Sequence, residues 1–258
     1  MKQTFTVGRL FDIRVGVHIT WLAVFAFMTY SIAGSIEALS RSLAIGLASV
    51  CVIALFASVV VHELAHALVA RRFGVKTTAI TLFLFGGVAT LEREPPSPKA
   101  ETWIALAGPA ASAVLAALSF GAMTLLERTT SGAWSEALGA VLAYMAIANG
   151  VLAVFNLIPA YPMDGGRVLR AAIWHARDSH AAATAIASLT GVGFAIVFAL
   201  VGIGLAIWQH SWQFSWYVLL GAFLGRQSWF HYVEARTAER LERVHVSEPL
   251  GPLRLSHN

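Results

Sequence analysis

The chain has 258 residues, 57% hydrophobic and only 12% charged, with a mean hydropathy of +0.69, whereas a soluble domain carries about 25% charged residues. Too few polar side chains remain to coat a water-soluble globule, so the composition specifies an integral membrane protein. Cys51 is the single cysteine, which excludes a disulfide scaffold, and the apolar content excludes disorder.

Taken in chain order, runs long enough to cross a bilayer, roughly 20 apolar residues each, fall at about 15–36, 42–70, 102–126, 137–159, 181–208 and 213–233. Residues 1–14 make an amphipathic start, and no small-residue cleavage site follows the first run, so that run is expected to remain as a helix. Residues 42–61 carry no charge, about 30 Å of helix at 1.5 Å per residue, one hydrocarbon thickness. Between the second and third runs, Val75 to Glu92 is rich in Thr, Ile, Leu and Phe and turns at Gly86-Gly87, the pattern of strand, turn and strand. After Glu234 the sequence reads as a charged surface helix. The expected fold is an all-α membrane protein of six transmembrane helices, with a small membrane-associated β element between the second and third. One domain over 1–234 is followed by a short cytoplasmic tail over 235–258.

Six crossings leave 16 of the 18 Lys and Arg on one side and only Arg41 and Arg128 on the other. The positive-inside rule then puts both termini and the 72–100 and 164–180 loops in the cytoplasm. Trp103, Trp174 and Trp229 fall near the inner interface and Trp134, Trp208 and Trp212 near the outer one, as aromatic belts. The net charge of +4 is therefore a topology signal, and the expected surroundings are a lipid bilayer with no nucleic acid.

The second run ends in Val60-Val61-His62-Glu63-Leu64-Ala65-His66. Histidines at i and i+4 stand one turn apart on one helix face, so both imidazoles can reach one zinc ion, with Glu63 beside them to take a proton from bound water. His62 lies nine residues before Arg71, about 14 Å along the helix from that charge cluster, so Glu63 beside it is costly in a membrane without a partner. A catalytic zinc needs a third protein ligand and one open position. Asp164 is the only acid between Ala137 and Arg177, and it follows Asn156-Leu157-Ile158-Pro159-Ala160-Tyr161-Pro162-Met163, where two prolines break the fourth run. On local sequence alone, Asp164 serves equally as the cap of a helix starting at Gly165.

Those residues together, His62 to His66, Asn156 to Pro159 and Asp164-Gly165-Gly166, resemble the site-2 protease family of intramembrane zinc metalloproteases. Phe85-Gly86-Gly87-Val88-Ala89 is similar to that family's membrane-associated β element, and Ala107-Gly108-Pro109 matches at the start of the third run. The resemblance covers about residues 55 to 170. It implies that His62, His66 and Asp164 bind Zn2+, that Glu63 is general base and acid, and that Asn156 orients substrate or stabilises the oxyanion. A structural helix-end role for Asn156 stays open, and Asn149 is unassigned. Gly86 and Gly87 permit close backbone approach, so the Val75 to Glu92 strands offer an edge for an unwound substrate segment; a plain cytoplasmic hairpin is the alternative.

The resemblance further implies regulated intramembrane proteolysis in a prokaryotic inner membrane. The substrate is a membrane protein with a transmembrane segment, such as an anti-sigma factor, a pro-sigma factor or a signal-peptide remnant. No insert long enough for a PDZ domain separates the runs and these 258 residues hold no CBS pair, so the chain resembles the compact six-span group; Val244 to Asn258 is either a natural end or the stub of a truncated CBS region. The rival functions are a zinc-binding membrane transporter or a non-catalytic scaffold, which need no Glu63.

Overall fold

The structure is a computed structural model that describes residues 4–36, 39–84, 86–211 and 214–247, with side chains through residue 240. Phe85, Trp212 and the tail beyond residue 247, all invoked above, lie outside the described residues. The chain divides into two compact units, Met1–Leu157 and Ile158–Asn258.

The first unit opens with a hairpin, β1 (Thr4–Leu10) and β2 (Ile13–His18), turned at Phe11 and Asp12, both at positive φ (51° and 68°). A short helix α1 (Thr20–Gly34) follows, then α2 (Arg41–Arg72), strands β3 (Thr77–Phe83) and β4 (Gly86–Leu91), and the long helices α3 (Pro98–Thr129) and α4 (Ala133–Asn156). The sheet order is β1-β2-β3-β4, with β2 parallel to β3 and the other two pairs antiparallel.

Two expectations change here. The β element between the second and third long helices is present, but the N-terminal segment joins it, so the fold is helical with a four-stranded sheet and not all-α. The first apolar run, read as a helix from residue 15, spends Val15 to His18 in β2, because Ile13, Val15 and Val17 alternate with Arg14, Gly16 and His18 at period two. A continuous apolar run does not by itself distinguish strand from helix. What remains, α1, has 15 residues, about 22 Å at 1.5 Å per residue.

The alternation gives the sheet one apolar face, and that face covers α2. Ile13 and Ile80 pack on Ala67, with Leu64 and Ala89 beside them. Leu82 joins Val52 and Phe56, surrounded by Val17, Trp21, Val24, Phe25 and Met28 of β2 and α1. The middle of α2 is thereby locked against a rigid layer, with the His62–His66 turn between the two clusters. α2 stops at Gly74, whose φ of +74° suits the left-handed position after a helix, and the Val75 N–H closes back on the Ala70 carbonyl at 3.0 Å. Ser97 begins α3, its side chain accepting from Ala100 N–H at 3.2 Å with Pro98 at the first helical position.

The second unit holds α5 (Asp164–Arg177), α6 (His180–Trp208) and α7 (Ser215–Ser247). The sixth apolar run and the charged segment after residue 234 form one helix of 33 residues. Among the described residues, α2, α3, α4 and α6 are long and apolar enough to cross a membrane, and α1 is a shorter apolar helix. Leu118, Val154, Ile196 and Val201 stay half or more exposed along them, the surface that lipid tails cover in an integral membrane protein.

Candidate metal centre

His62 and His66 fall on the inner face of α2 and are 3% and 6% exposed. Their rings meet edge to face, and the two Nε2 atoms stand 3.1 Å apart. Two nitrogens at about 2.0–2.1 Å from one tetrahedral zinc stand roughly 3.3 Å apart, so the pair is set for a shared cation.

The other ring nitrogens explain why the rings hold this pose. His66 Nδ1 lies 2.6 Å from the carbonyl oxygen of Ile104, a pure acceptor, so Nδ1 carries the hydrogen and Nε2 presents its lone pair. His62 Nδ1 lies 2.9 Å from Ser112 Oγ, fully buried on α3. Ile104, Gly108 and Ser112 stand at i, i+4 and i+8, one stripe of α3 facing the histidines. Pro109 beside them cannot donate to the carbonyl one turn back, which loosens the helix there.

Gly108 provides the sharpest test of fit. A Cβ built on it would lie against Nε2 of both histidines, 2.5 Å from that of His62. The space beside the two Nε2 atoms is thus kept clear by the absence of one methyl group. Two buried imidazoles with their Nε2 atoms facing, each ring held from behind by a polar group of α3, suit a metal ion.

Glu63, one residue on, leaves that face and turns toward the sheet. A Cβ at Gly87 would come 2.7 Å from Glu63 Cγ and 3.3 Å from Val59 Cγ1, so Gly87 lets the first residues of β4 lie directly on the glutamate side chain. Gly86, at φ +129°, supplies a turn conformation that other residues avoid. Replacing Gly87 by Ala is expected to push Glu63 aside and cut cleavage about 10²-fold or more, with zinc content unchanged, measured by reporter cleavage and metal analysis on the same preparation.

On α4, Asn156 donates to the Leu152 carbonyl at 3.0 Å, a bond within its own helix end that uses one of its two side-chain N–H groups. Asn149, two turns earlier and fully buried, donates to the Met145 carbonyl and to Ser58 Oγ, one turn before His62 on α2. That bond ties α4 to the histidine face of α2.

In the second unit Asp164 is 7% exposed and is the first residue of α5. The N-cap position belongs to Met163, so Asp164 stands one residue inside the helix and is not its cap. Its carboxylate sits at the positive end of the helix dipole, 3.6 Å from Arg167 Nη1. Asp164 thus offers a buried carboxylate, as His62 and His66 each offer a buried imidazole, all of them ligand types that zinc accepts.

Ser112 and the Ile104 carbonyl were not legible in advance. The available signal was the spacing of four between Gly108 and Ser112 within the apolar stretch of α3. Ser112→Ala is expected to weaken zinc binding about 10- to 100-fold, the usual effect of removing a group that orients a ligand, measured by competition with a chelator.

Residues 50–200 match the model of peptidase family M50. The chain belongs to peptidase family M50. The match includes both the His62 to His66 turn and the Asn156 to Asp164 segment. Over 244 residues this M50 chain is 36% identical to the candidate zinc metalloprotease Rip3 of Mycobacterium tuberculosis, covering 93% of the chain and 59% of the relative. It is 33% identical to a candidate zinc metalloprotease of Synechocystis, covering 98% of the chain and 66% of the relative. The M50 chain thus spans about three fifths to two thirds of these relatives. Its fold matches the site-2 protease from Methanocaldococcus jannaschii with a TM-score of 0.60 at 25% identity, covering 89% of this chain and 95% of that one.

Proposed function

We propose that this M50 chain is an intramembrane zinc endopeptidase that cuts peptide bonds in or near transmembrane segments. The observation that carries this reading is the α2 turn itself: two buried histidines with facing Nε2 atoms around a space that Gly108 keeps clear, and Glu63 beside them under β4. His62, His66 and Asp164 hold the metal. When bound, zinc lowers the pKa of a water and polarises the scissile carbonyl. The Glu63 carboxylate would accept a proton from the attacking water and return it to the departing amine nitrogen. Asn156 orients the substrate or stabilises the oxyanion, with its second side-chain N–H as the donor.

A peptide bond in a transmembrane helix is shielded by its own hydrogen bonds, so the substrate unwinds before water attacks. β4 is an edge strand, and among the described residues no strand pairs with its far side. An extended segment adds there by main-chain hydrogen bonds, and Gly87 lets that strand lie close to Glu63. In this reading α1 to α4, α6 and α7 make six crossings, both termini face the cytoplasm of a prokaryotic cell, and the reaction serves regulated intramembrane proteolysis. The substrate class is a single-span membrane protein, with anti-sigma factors, pro-sigma factors and signal-peptide remnants as its known types.

The test is to co-reconstitute the chain with a single-span reporter in liposomes and to weigh the fragments by mass spectrometry. Cleavage within or at the edge of the span is expected. Cuts confined to distant soluble flanks would refute the intramembrane reading.

A further inference from the structure

The Asp164 carboxylate follows a loop, Pro159 to Met163, that helices α5, α6 and α7 of the second unit grip from several directions, and Tyr161 is the point gripped. Its side chain is 8% exposed. The Arg170 guanidinium of α5, itself 5% exposed, lies 5.0 Å from the Tyr161 ring centroid and donates to the phenolic oxygen at 3.3 Å. The His231 ring of α7 meets the same ring at 89° with centroids 5.0 Å apart. Ser228 of α7, fully buried, donates to the Tyr161 carbonyl at 2.6 Å while also approaching the Leu224 carbonyl at 2.8 Å. Thr190 of α6 shares its hydroxyl hydrogen between the Ala187 carbonyl at 2.7 Å and the Pro159 carbonyl at 3.0 Å.

Two glycines let the helices close on this loop. A Cβ at Gly191 of α6 would collide with the Tyr161 carbonyl and stand 2.5 Å from Ser228 Oγ, and one at Gly166 of α5 would collide with the Tyr161 backbone. Loop carbonyls ordinarily need water. Here those of Pro159 and Tyr161 are taken up by side chains of α6 and α7, so the loop is held at fixed height and rotation, with Asp164 three residues after Tyr161.

From these contacts we infer that Tyr161 is a positioning residue for the metal ligand Asp164, and that Ser228 and Gly191 act through it. The inference rests on the reading of Asp164 as a ligand. It gives α7, which lies beyond the matched family range, a part in metal binding: Ser228 orients the loop that carries the carboxylate, as an outer partner orients a ligand in other metal sites.

The test is zinc affinity by chelator competition, with the visible spectrum of the cobalt-substituted chain as a report on ligand geometry. Tyr161→Ala and Gly191→Ala are each expected to weaken zinc about 10- to 100-fold and to alter the cobalt spectrum, with helical content and elution volume unchanged. Tyr161→Phe, which keeps the ring contacts and the backbone carbonyl, is expected to stay within about threefold. Should Gly191→Ala not fold, Tyr161→Ala and Ser228→Ala carry the test. The double variant separates the two readings. In an Asp164→Asn background, Tyr161→Ala is expected to add nothing, since contacts that act through one residue are not additive. If Asp164→Asn weakens zinc but Tyr161→Ala and Gly191→Ala do not, or if Tyr161→Ala costs as much without Asp164 as with it, the positioning role is wrong. If Asp164→Asn itself leaves zinc affinity unchanged, the ligand reading fails, and the positioning role with it.

Discussion

Replacing Glu63 by Gln is expected to lower cleavage of a membrane reporter at least about 10²- to 10⁴-fold, the range that a positioned acid–base group supplies, while zinc content stays at the wild-type level. The separation follows from the geometry of one helix turn. His62 and His66 share the α3-facing side, where Ser112 and the Ile104 carbonyl orient them, whereas Glu63 lies under β4 against Gly87. Gln keeps the shape and loses the basicity, so the sheet packing survives and the proton has no acceptor. A transporter or scaffold that uses the histidines alone would be indifferent to the change. Metal analysis and cleavage rate on one preparation decide the matter.

Gly108→Ala is expected to remove zinc almost completely, by more than about 100-fold in affinity, although it touches no ligand covalently. In a helix interior Ala is more favourable than Gly by about 1 kcal/mol, so helix propensity argues for a more stable α3. The added methyl, however, lies against both Nε2 atoms. Either the rings turn away and lose Ser112 and the Ile104 carbonyl, or α3 shifts from α2. Both outcomes break the site. Zinc stoichiometry together with thermal unfolding separates this from general destabilisation: the account expects a folded chain without metal, and full zinc loading would show that the cleared space is not the metal's.

How much of this was legible in the sequence differs from element to element, for physical reasons. The His62, Glu63 and His66 pattern was readable because helix geometry turns a spacing of four into a shared face, with no tertiary information needed. Asp164 stood out as a lone acid in a broken apolar run. Its place at the first turn of α5, and not as the cap, depended on where the chain leaves the Pro162-Met163 turn, which local sequence leaves open. The orienting groups were hidden for another reason. A backbone carbonyl such as that of Ile104 has no residue-type signature, and Gly108 is meaningful only once α3 is known to approach α2 there.

The N-terminal segment was misread because Val15 and Val17 continue an apolar run that a helix also satisfies, and only pairing of β2 with β3 reveals the strand. The long range of α7 was split in the sequence reading at Glu234, where apolar residues give way to charged ones. A helix crosses such a boundary without interruption, because propensity for helix is nearly as good in Glu and Arg as in Leu.

The measurement that tests the account most directly is a zinc titration of the metal-stripped chain in liposomes with the single-span reporter, following cleavage rate against zinc bound per chain. The account predicts no cleavage in the stripped chain, with recovery that rises in proportion to zinc and saturates at about one ion per chain. Cleavage at the full rate without metal, or a chain loaded with one zinc that leaves every membrane reporter intact, would contradict it.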